Sequence, residues 1–118
     1  MKSLDCARMT ALVVPASGPL LSTERDALDL ISETYGSDVD TIAIPRERLA
    51  PAVFDLRSGL LGAFVQKLVN YQLRLAIVGD VSAEIAASDA FRDFVVECRR
   101  GTHVRFIATT AELAERID

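Results

Sequence analysis

The sequence predicts one α/β domain with a mainly parallel or mixed sheet of four to five strands and about four helices. Short apolar runs typical of strands alternate with amphipathic helical stretches along the chain. The helical stretches are long enough to cross a sheet in the right-handed sense. No internal repeat, linker or low-complexity tract interrupts residues 1–118, so we expect a single domain.

The first part of the chain is predicted to hold two strands joined by a helix. The β-rich run Thr10–Ala16 leads into the turn cluster SGP, and residues 2–8 are a weaker candidate for an earlier strand. Thr23 and Asp26 have the spacing of a capping box, which predicts a helix that stops at the next glycine. The run 41–44 then predicts a short buried strand.

Two rows of apolar side chains, led by Leu60 and Leu61, predict a second helix over about 58–70. The segment before it, PRERLAPAVFD, is predicted to be irregular, with an extended residue 50 because Pro51 follows it. The remaining predicted elements are a strand over 73–79 buried on both faces, a helix over 88–100, a strand over 103–108 and a final helix from Thr109 or Thr110 to about Ile117.

Composition and charge argue against several classes of function. The net charge is -4 and the basic residues are scattered among acids, whereas phosphate contacts need clustered Lys and Arg. No apolar run approaches the length of a membrane span, and the N-terminus has no signal-peptide pattern. We therefore expect a cytoplasmic protein with no membrane or nucleic-acid partner.

The two cysteines and the one histidine indicate neither a metal site nor a catalytic triad. Cys6 and Cys98 have no CxxC spacing and no nearby histidine, so we expect no metal and no cofactor. A disulfide between them is an alternative to the packing role that we favour for Cys98 on its apolar helical face. His103 has no evident nucleophile partner, and we assign no catalytic residue.

The polar edge of the second helix is the most suggestive feature of the chain. Gly62, Gln66 and Asn70 recur at intervals of four residues, with Lys67 beside them. A glycine inside a helix costs about 1 kcal/mol relative to alanine, which is tolerable where a partner or ligand must approach closely. The alternative is an ordinary solvent-facing edge without a role.

Four residues at the ends of the second helix and the central strand are further candidates. Ser58 and Gly59 lie at the predicted start of the helix, where free N–H groups attract an anion and where serine also serves as a plain N-cap. Asp55 precedes the helix and Asp80 follows the strand, at the edge where α/β sheets place ligands. Both carboxylates suit acid–base chemistry or Mg²⁺ binding, but we favour turn capping.

The run FDLRSGLLGAFVQKLVNYQLRLAIVGDVS resembles the signature of a family of small bacterial proteins, the domain of unknown function DUF4180. The later stretch RDF, with Glu97 and Gly101, fits the same pattern, whereas Cys98 and Arg99 replace a Ser-Asn pair. The resemblance implies no activity, substrate or cofactor. The candidate site residues that match the family pattern are Asp55, Ser58, Gly59, Gly62, Gln66, Lys67, Asn70 and Asp80.

The stretch LRSGLLGAFV is also distantly similar to STAS domains of the anti-sigma-factor antagonist type. That likeness implies a STAS-like fold and places Ser58 where those domains are phosphorylated, although we favour the N-cap role for Ser58. The sequence as a whole favours a non-catalytic regulatory or protein-interaction module and leaves a protein partner or self-association open. The alternative is a phosphoacceptor or a small-ligand or phosphate-binding protein that uses Ser58 and Asp80.

Overall fold

A computed structural model describes residues 11–98, 101 and 103–108. In this part of the chain a four-stranded sheet is parallel throughout, and its strand order is the chain order. The strands are β1 (Ala11–Val13), β2 (Thr41–Pro45), β3 (Arg74–Val78) and β4 (Val104–Ile107). The helices are α1 (Glu24–Ser32), α2 (Leu60–Asn70), α3 (Ser82–Ala87) and α4 (Asp89–Cys98). The predicted α/β class is confirmed.

All four described helices contribute to one core on a single face of the sheet. When neighbouring strands follow chain order and right-handed crossovers join them, every crossover helix lies on the same side of the sheet. The core joins the inward side chains of β2 and β3 to those of the helices, including Ile44, Ile77, Ile31, Phe64 and Phe91. The opposite face of the two central strands carries small buried side chains, among them Ala43 and Ala76. Burial of β3 on both faces is thereby confirmed.

Helix α1 begins at the predicted capping box. The Thr23 Oγ1 accepts a hydrogen bond from the Asp26 N–H at 3.2 Å, and the Asp26 Oδ2 accepts one from the Thr23 N–H at 3.0 Å. The helix ends at Ser32, before the predicted stop at Gly36, and the chain continues in a turn where the Thr34 N–H and hydroxyl both donate to the Ile31 carbonyl, at 2.9 Å and 2.7 Å. Gly36 follows in the turn with φ +80°.

The segment between β2 and α2 consists of three short 3-10 helices, Arg46–Arg48, Pro51–Phe54 and Leu56–Ser58. Ala50 is extended, with ψ 148°, as the following proline requires. Phe54 is buried in the core and meets Phe91 edge to face, with ring centroids 5.5 Å apart. The segment is therefore irregular, as predicted, but firmly packed.

Buried Arg48 fixes the loop that follows β1. Its guanidinium donates to the carbonyl oxygens of Pro15 at 2.8 Å, Ser17 at 3.0 Å and Pro19 at 2.8 Å. A Cβ at Gly18, which has φ +135°, would lie 2.9 Å from the Arg48 Cζ. The loop therefore closes around the arginine, and only glycine fits at that position.

One predicted boundary is corrected, one helix had no sequence signal, and three features named in the sequence analysis lie outside the described residues. Helix α2 begins at Leu60 and not at Ser58, because Gly59 adopts φ +77°. Helix α3 was not predicted, since Ile85 is its single large apolar residue and leaves no periodic stripe. The proposed strand over 2–8, the final helix and Cys6 fall outside the described part of the chain.

Candidate functional site

The turn before α2 gives Asp55, Ser58 and Gly59 structural roles. The Asp55 Oδ1 accepts a hydrogen bond at 3.1 Å from the backbone N–H two residues later. The Ser58 hydroxyl donates to the Ala52 carbonyl at 2.8 Å and accepts from the Leu60 N–H at 3.2 Å. Gly59, in the left-handed region, then redirects the chain into the helix. Asp55 thus caps the 3-10 helix Leu56–Ser58, whereas the N-cap of α2 is Gly59, so Ser58 does not occupy the predicted N-cap position.

The outer edge of α2, which we define as Gly62, Gln66 and Asn70, is exposed. The Gln66 Nε2 donates to the Asn70 Oδ1 at 3.0 Å, so the two amides form one hydrogen-bonded pair. A Cβ built on Gly62 meets no atom within 4 Å. Lys67, on the neighbouring row, is half-buried. Packing among the described residues therefore does not require a glycine at position 62.

The carboxylate of Asp80 follows β3 and is exposed. Its Oδ1 accepts a hydrogen bond from the Ser82 N–H at 2.9 Å. Hydrogen bonds from the side chain and then the backbone of Ser82, with a smaller contribution from the Arg46 charge, lower the pKa of Asp80. A carboxylate that stays ionised at neutral pH repels phosphate, so the end of β3 is unfavourable for the predicted anion.

An ion pair that the sequence analysis missed joins the end of β2 to α3. The Arg46 Nη2 bonds the Glu84 Oε2, and the Glu84 side chain is only 16% exposed. The arginine passes over Gly79, whose Cβ would lie 3.1 Å from the Arg46 Cγ. The Arg46 Nε and the Glu84 Oε1 are both buried without a hydrogen-bond partner among the described residues. In the sequence, Gly79 directly after β3 is the feature that indicates a close approach of another side chain to the backbone at this point.

Two cavities lie near this end of the sheet. The larger, of about 670 Å³, lies between β4 and helices α3 and α4, and Asp80 lines it. The smaller, of about 540 Å³, lies between segment 51–57 and residues 84–90, and Asp55 lines it. The structure therefore does not place the two candidate carboxylates in one cavity. The outer edge of α2 lines neither.

Cys98 behaves as a packing residue. It is free, half-buried and in contact with the core. Burial, with a smaller contribution from the charge of Glu97, raises the pKa of the Cys98 thiol to about 11. Because the thiolate is the nucleophile, a thiol with this pKa is unreactive at neutral pH.

Comparison with known proteins identifies a family and nothing finer. The family model described as Domain of unknown function (DUF4180) matches residues 7–117. Searches of the curated proteins and of the solved structures give no match. In the described residues no helix is long and apolar enough to cross a membrane, and no group of three or more His, Cys, Asp or Glu side chains is placed to hold a metal ion.

Proposed function

The chain belongs to the DUF4180 family of unknown function, and we propose that it is a non-catalytic regulatory or protein-interaction module that contacts its partner through the outer edge of α2. The family description carries no activity, so the proposal rests on the surface itself. The observation that carries it is the open space at Gly62, where an added Cβ would meet no atom of another described element within 4 Å.

A glycine inside a helix needs a reason, because it destabilises the helix by about 1 kcal/mol relative to alanine. Gly62 lies within α2 and is not among the residues with positive φ, so backbone conformation does not require it. Packing within the described fold does not require it either. Close approach by the backbone of another molecule would account for a glycine at this position, and its exposure makes that approach feasible.

The amide pair next to this glycine supplies the polar contacts. Because Gln66 donates to Asn70, the Gln66 carbonyl oxygen and the Asn70 NH₂ group stay available to a partner. The pair holds both side chains in one arrangement, which lowers the entropy lost on binding. A peptide backbone, which carries one donor and one acceptor per residue, matches this pattern.

Capture experiments test the proposal with matched double variants. The tagged chain is incubated with lysate of its native host, and Gln66→Ala/Asn70→Ala is compared with Asp93→Ala/Glu97→Ala, which alters exposed residues of α4. We expect Gln66→Ala/Asn70→Ala to lose the captured protein and the control variant to retain it. If the partner is a second copy of the chain, sedimentation velocity should show the same difference in self-association. Equal capture or self-association by both variants would remove the basis for the interaction role.

Phosphorylation of Ser58 is a second candidate function, drawn from the STAS likeness. Ser58 is exposed, and its Oγ already accepts the Leu60 N–H at the start of α2, where the helix dipole favours negative charge. Phosphorylation would replace the proton donated to Ala52 and loosen segment 51–58. Phosphopeptide mass spectrometry on chain purified from its host, with Ser58→Ala as control, checks this. Absence of phosphate at Ser58 under all growth conditions tested argues against it.

A further inference from the structure

The larger cavity runs along the outer edge of β4, the last strand of the described sheet. It is lined by every residue from 104 to 108, although successive side chains of a strand point to opposite faces of the sheet. Only the backbone edge of a strand adjoins both faces, and β3 occupies the other edge of β4. The cavity volume of about 670 Å³ lies within the range of about 300–1,000 Å³ that ligand sites occupy. The cavity therefore gives access to the backbone of β4.

The backbone groups on this edge are available for pairing. The Ile107 carbonyl oxygen accepts a hydrogen bond at 2.8 Å from the N–H of Gly79, directly after β3. Because backbone groups alternate in direction along a strand, those of Val104 and Phe106 point away from β3. Within the described part of the chain these outward N–H and C=O groups form no hydrogen bond. An unpaired strand edge of this kind is a template for a further strand.

The cavity has room for side chains as well as for a backbone. On the side of the helices its lining is apolar, with Ile85 from α3 and with Val95 and Cys98 from α4. Asp80 and Arg105 line it with opposite charges, so charge selects neither a cation nor an anion. A strand that pairs with β4 would place every second side chain against the apolar lining.

A second copy of the chain would not fill this cavity by pairing its β4 with this one. The side chains of β4 that face the helices, Val104 and Phe106, pack against the core of their own copy. They cannot also enter the cavity of a partner. An extended peptide segment has free side chains and a free backbone, so it can fill the cavity and pair with the edge at the same time.

We propose that the larger cavity binds an extended peptide segment of another protein, which pairs with β4 as an added strand and packs aliphatic side chains, at alternate positions, against Ile85 and Val95. In such strand addition main-chain hydrogen bonds give affinity and alternate side chains give specificity. Val104 and Phe106 each offer one donor and one acceptor to the segment. The outer edge of α2 lines no part of this cavity, so failure of either proposal leaves the other standing.

Amide hydrogen exchange with synthetic peptides tests the site at single N–H groups. The probes are the capped heptapeptide Lys-Thr-Val-Thr-Val-Thr-Lys and its leucine and isoleucine counterparts, in which aliphatic residues alternate with threonine. We expect at least one peptide to bind saturably and to slow exchange of the Val104 and Phe106 amides at least tenfold. The amides of Arg105 and Ile107, which face β3, should change less.

Two results of this experiment would overturn the proposal. One is the absence of protection at Val104 and Phe106 with all three peptides. The other is full protection of these two amides in the free chain at high dilution, since the edge would then already be paired within one copy.

Methylated peptides separate strand pairing from general apolar binding. In an added strand every second peptide nitrogen faces β4 and the others face away from it. Methylation of either the aliphatic or the threonine nitrogens should therefore weaken binding at least tenfold, and methylation of the other set should leave it nearly unchanged. The direction of the added strand decides which set is sensitive. Equal effects of the two methylations would contradict strand addition.

Two phenylalanine variants of α4 test the cavity from the side of the protein. Cys98→Phe adds bulk inside the cavity, whereas Val96→Phe adds it at an exposed position of the same helix that does not line the cavity. We expect Cys98→Phe to weaken peptide binding at least tenfold and Val96→Phe to leave it unchanged. If Cys98→Phe does not fold, the methylated peptides decide. Wild-type affinity in a folded Cys98→Phe variant contradicts the assignment.

Discussion

Alanine at the two glycines near the start of α2 should have opposite effects on stability. Gly62→Ala adds a methyl group to an exposed helical position where no atom lies within 4 Å, so it should raise the free energy of unfolding by about 1 kcal/mol. With an unfolding entropy of about 2.1 cal/mol/K per residue, this corresponds to a rise of about 4 °C in Tm. Gly59→Ala forces an L-residue to φ +77° and should cost about 1–2 kcal/mol.

Urea unfolding followed by circular dichroism measures both changes, provided that the m-value stays constant. Gly59→Ala serves as the control. It is the same substitution near the same end of α2, but it should shift the urea midpoint in the opposite direction. A lower stability for Gly62→Ala would mean that the fold itself needs glycine at position 62. Glycine at position 62 would then be explained by the fold and not by a partner.

Three further predictions concern the fold around the candidate sites. Arg48→Met should lower the free energy of unfolding by about 3 kcal/mol or more in urea unfolding, because three carbonyl oxygens lose their charged donor. Burial alone would raise the pKa of Asp26, but the hydrogen bonds from Ser22 and Thr23 outweigh it and lower the pKa. The stability that Asp26 contributes should thus be complete above about pH 4 and be lost as pH falls through the lowered value, as urea unfolding at pH 2–5 would show. In a Cys6→Ser background, alkylation of Cys98 by iodoacetamide should accelerate about tenfold per pH unit between about pH 8 and 10, since its thiol pKa is about 11.

Each of these three predictions has a control or a contradicting result. Arg57→Met removes a guanidinium that is 92% exposed and should leave stability nearly unchanged, so an equally small effect for Arg48→Met contradicts the structural role. Asp26→Asn should reduce the loss of unfolding free energy as the pH falls over this range. An unchanged loss would contradict the assignment of this pH dependence to Asp26. A Cys98 alkylation rate that levels off by about pH 10 would show a thiol with an ordinary pKa.

The elements with clear short-range sequence patterns could be predicted from the sequence. The capping box at Thr23 and the extended residue before Pro51 follow from short-range backbone chemistry, and both are present. The four parallel strands were predictable because continuous apolar runs separated by helical stretches favour that topology. Leu61, Phe64 and Leu68 are the buried residues of α2, within the apolar face that periodicity predicts.

The features that sequence reasoning missed depend on long-range geometry. Arg46 and Glu84 are 38 positions apart, and nothing local links them. Helix α3 has only Ile85 as a large apolar residue, so no apolar periodicity marks it in the sequence and nothing local singles out its carboxylate. The smaller cavity arises only because this helix lies beside segment 51–57. In contrast, Gln66 and Asn70 could be assigned to one helix edge from their spacing alone.

The measurement that tests the central claim most directly is photo-crosslinking from position 66 in the native host. A photoreactive amino acid at Gln66 should give a discrete covalent adduct with a partner protein or with a second copy of the chain. The same amino acid at Glu97, an exposed position on α4, should give none. Equal labelling from the two positions, or no adduct from position 66, would contradict the claim that the outer edge of α2 is a contact surface.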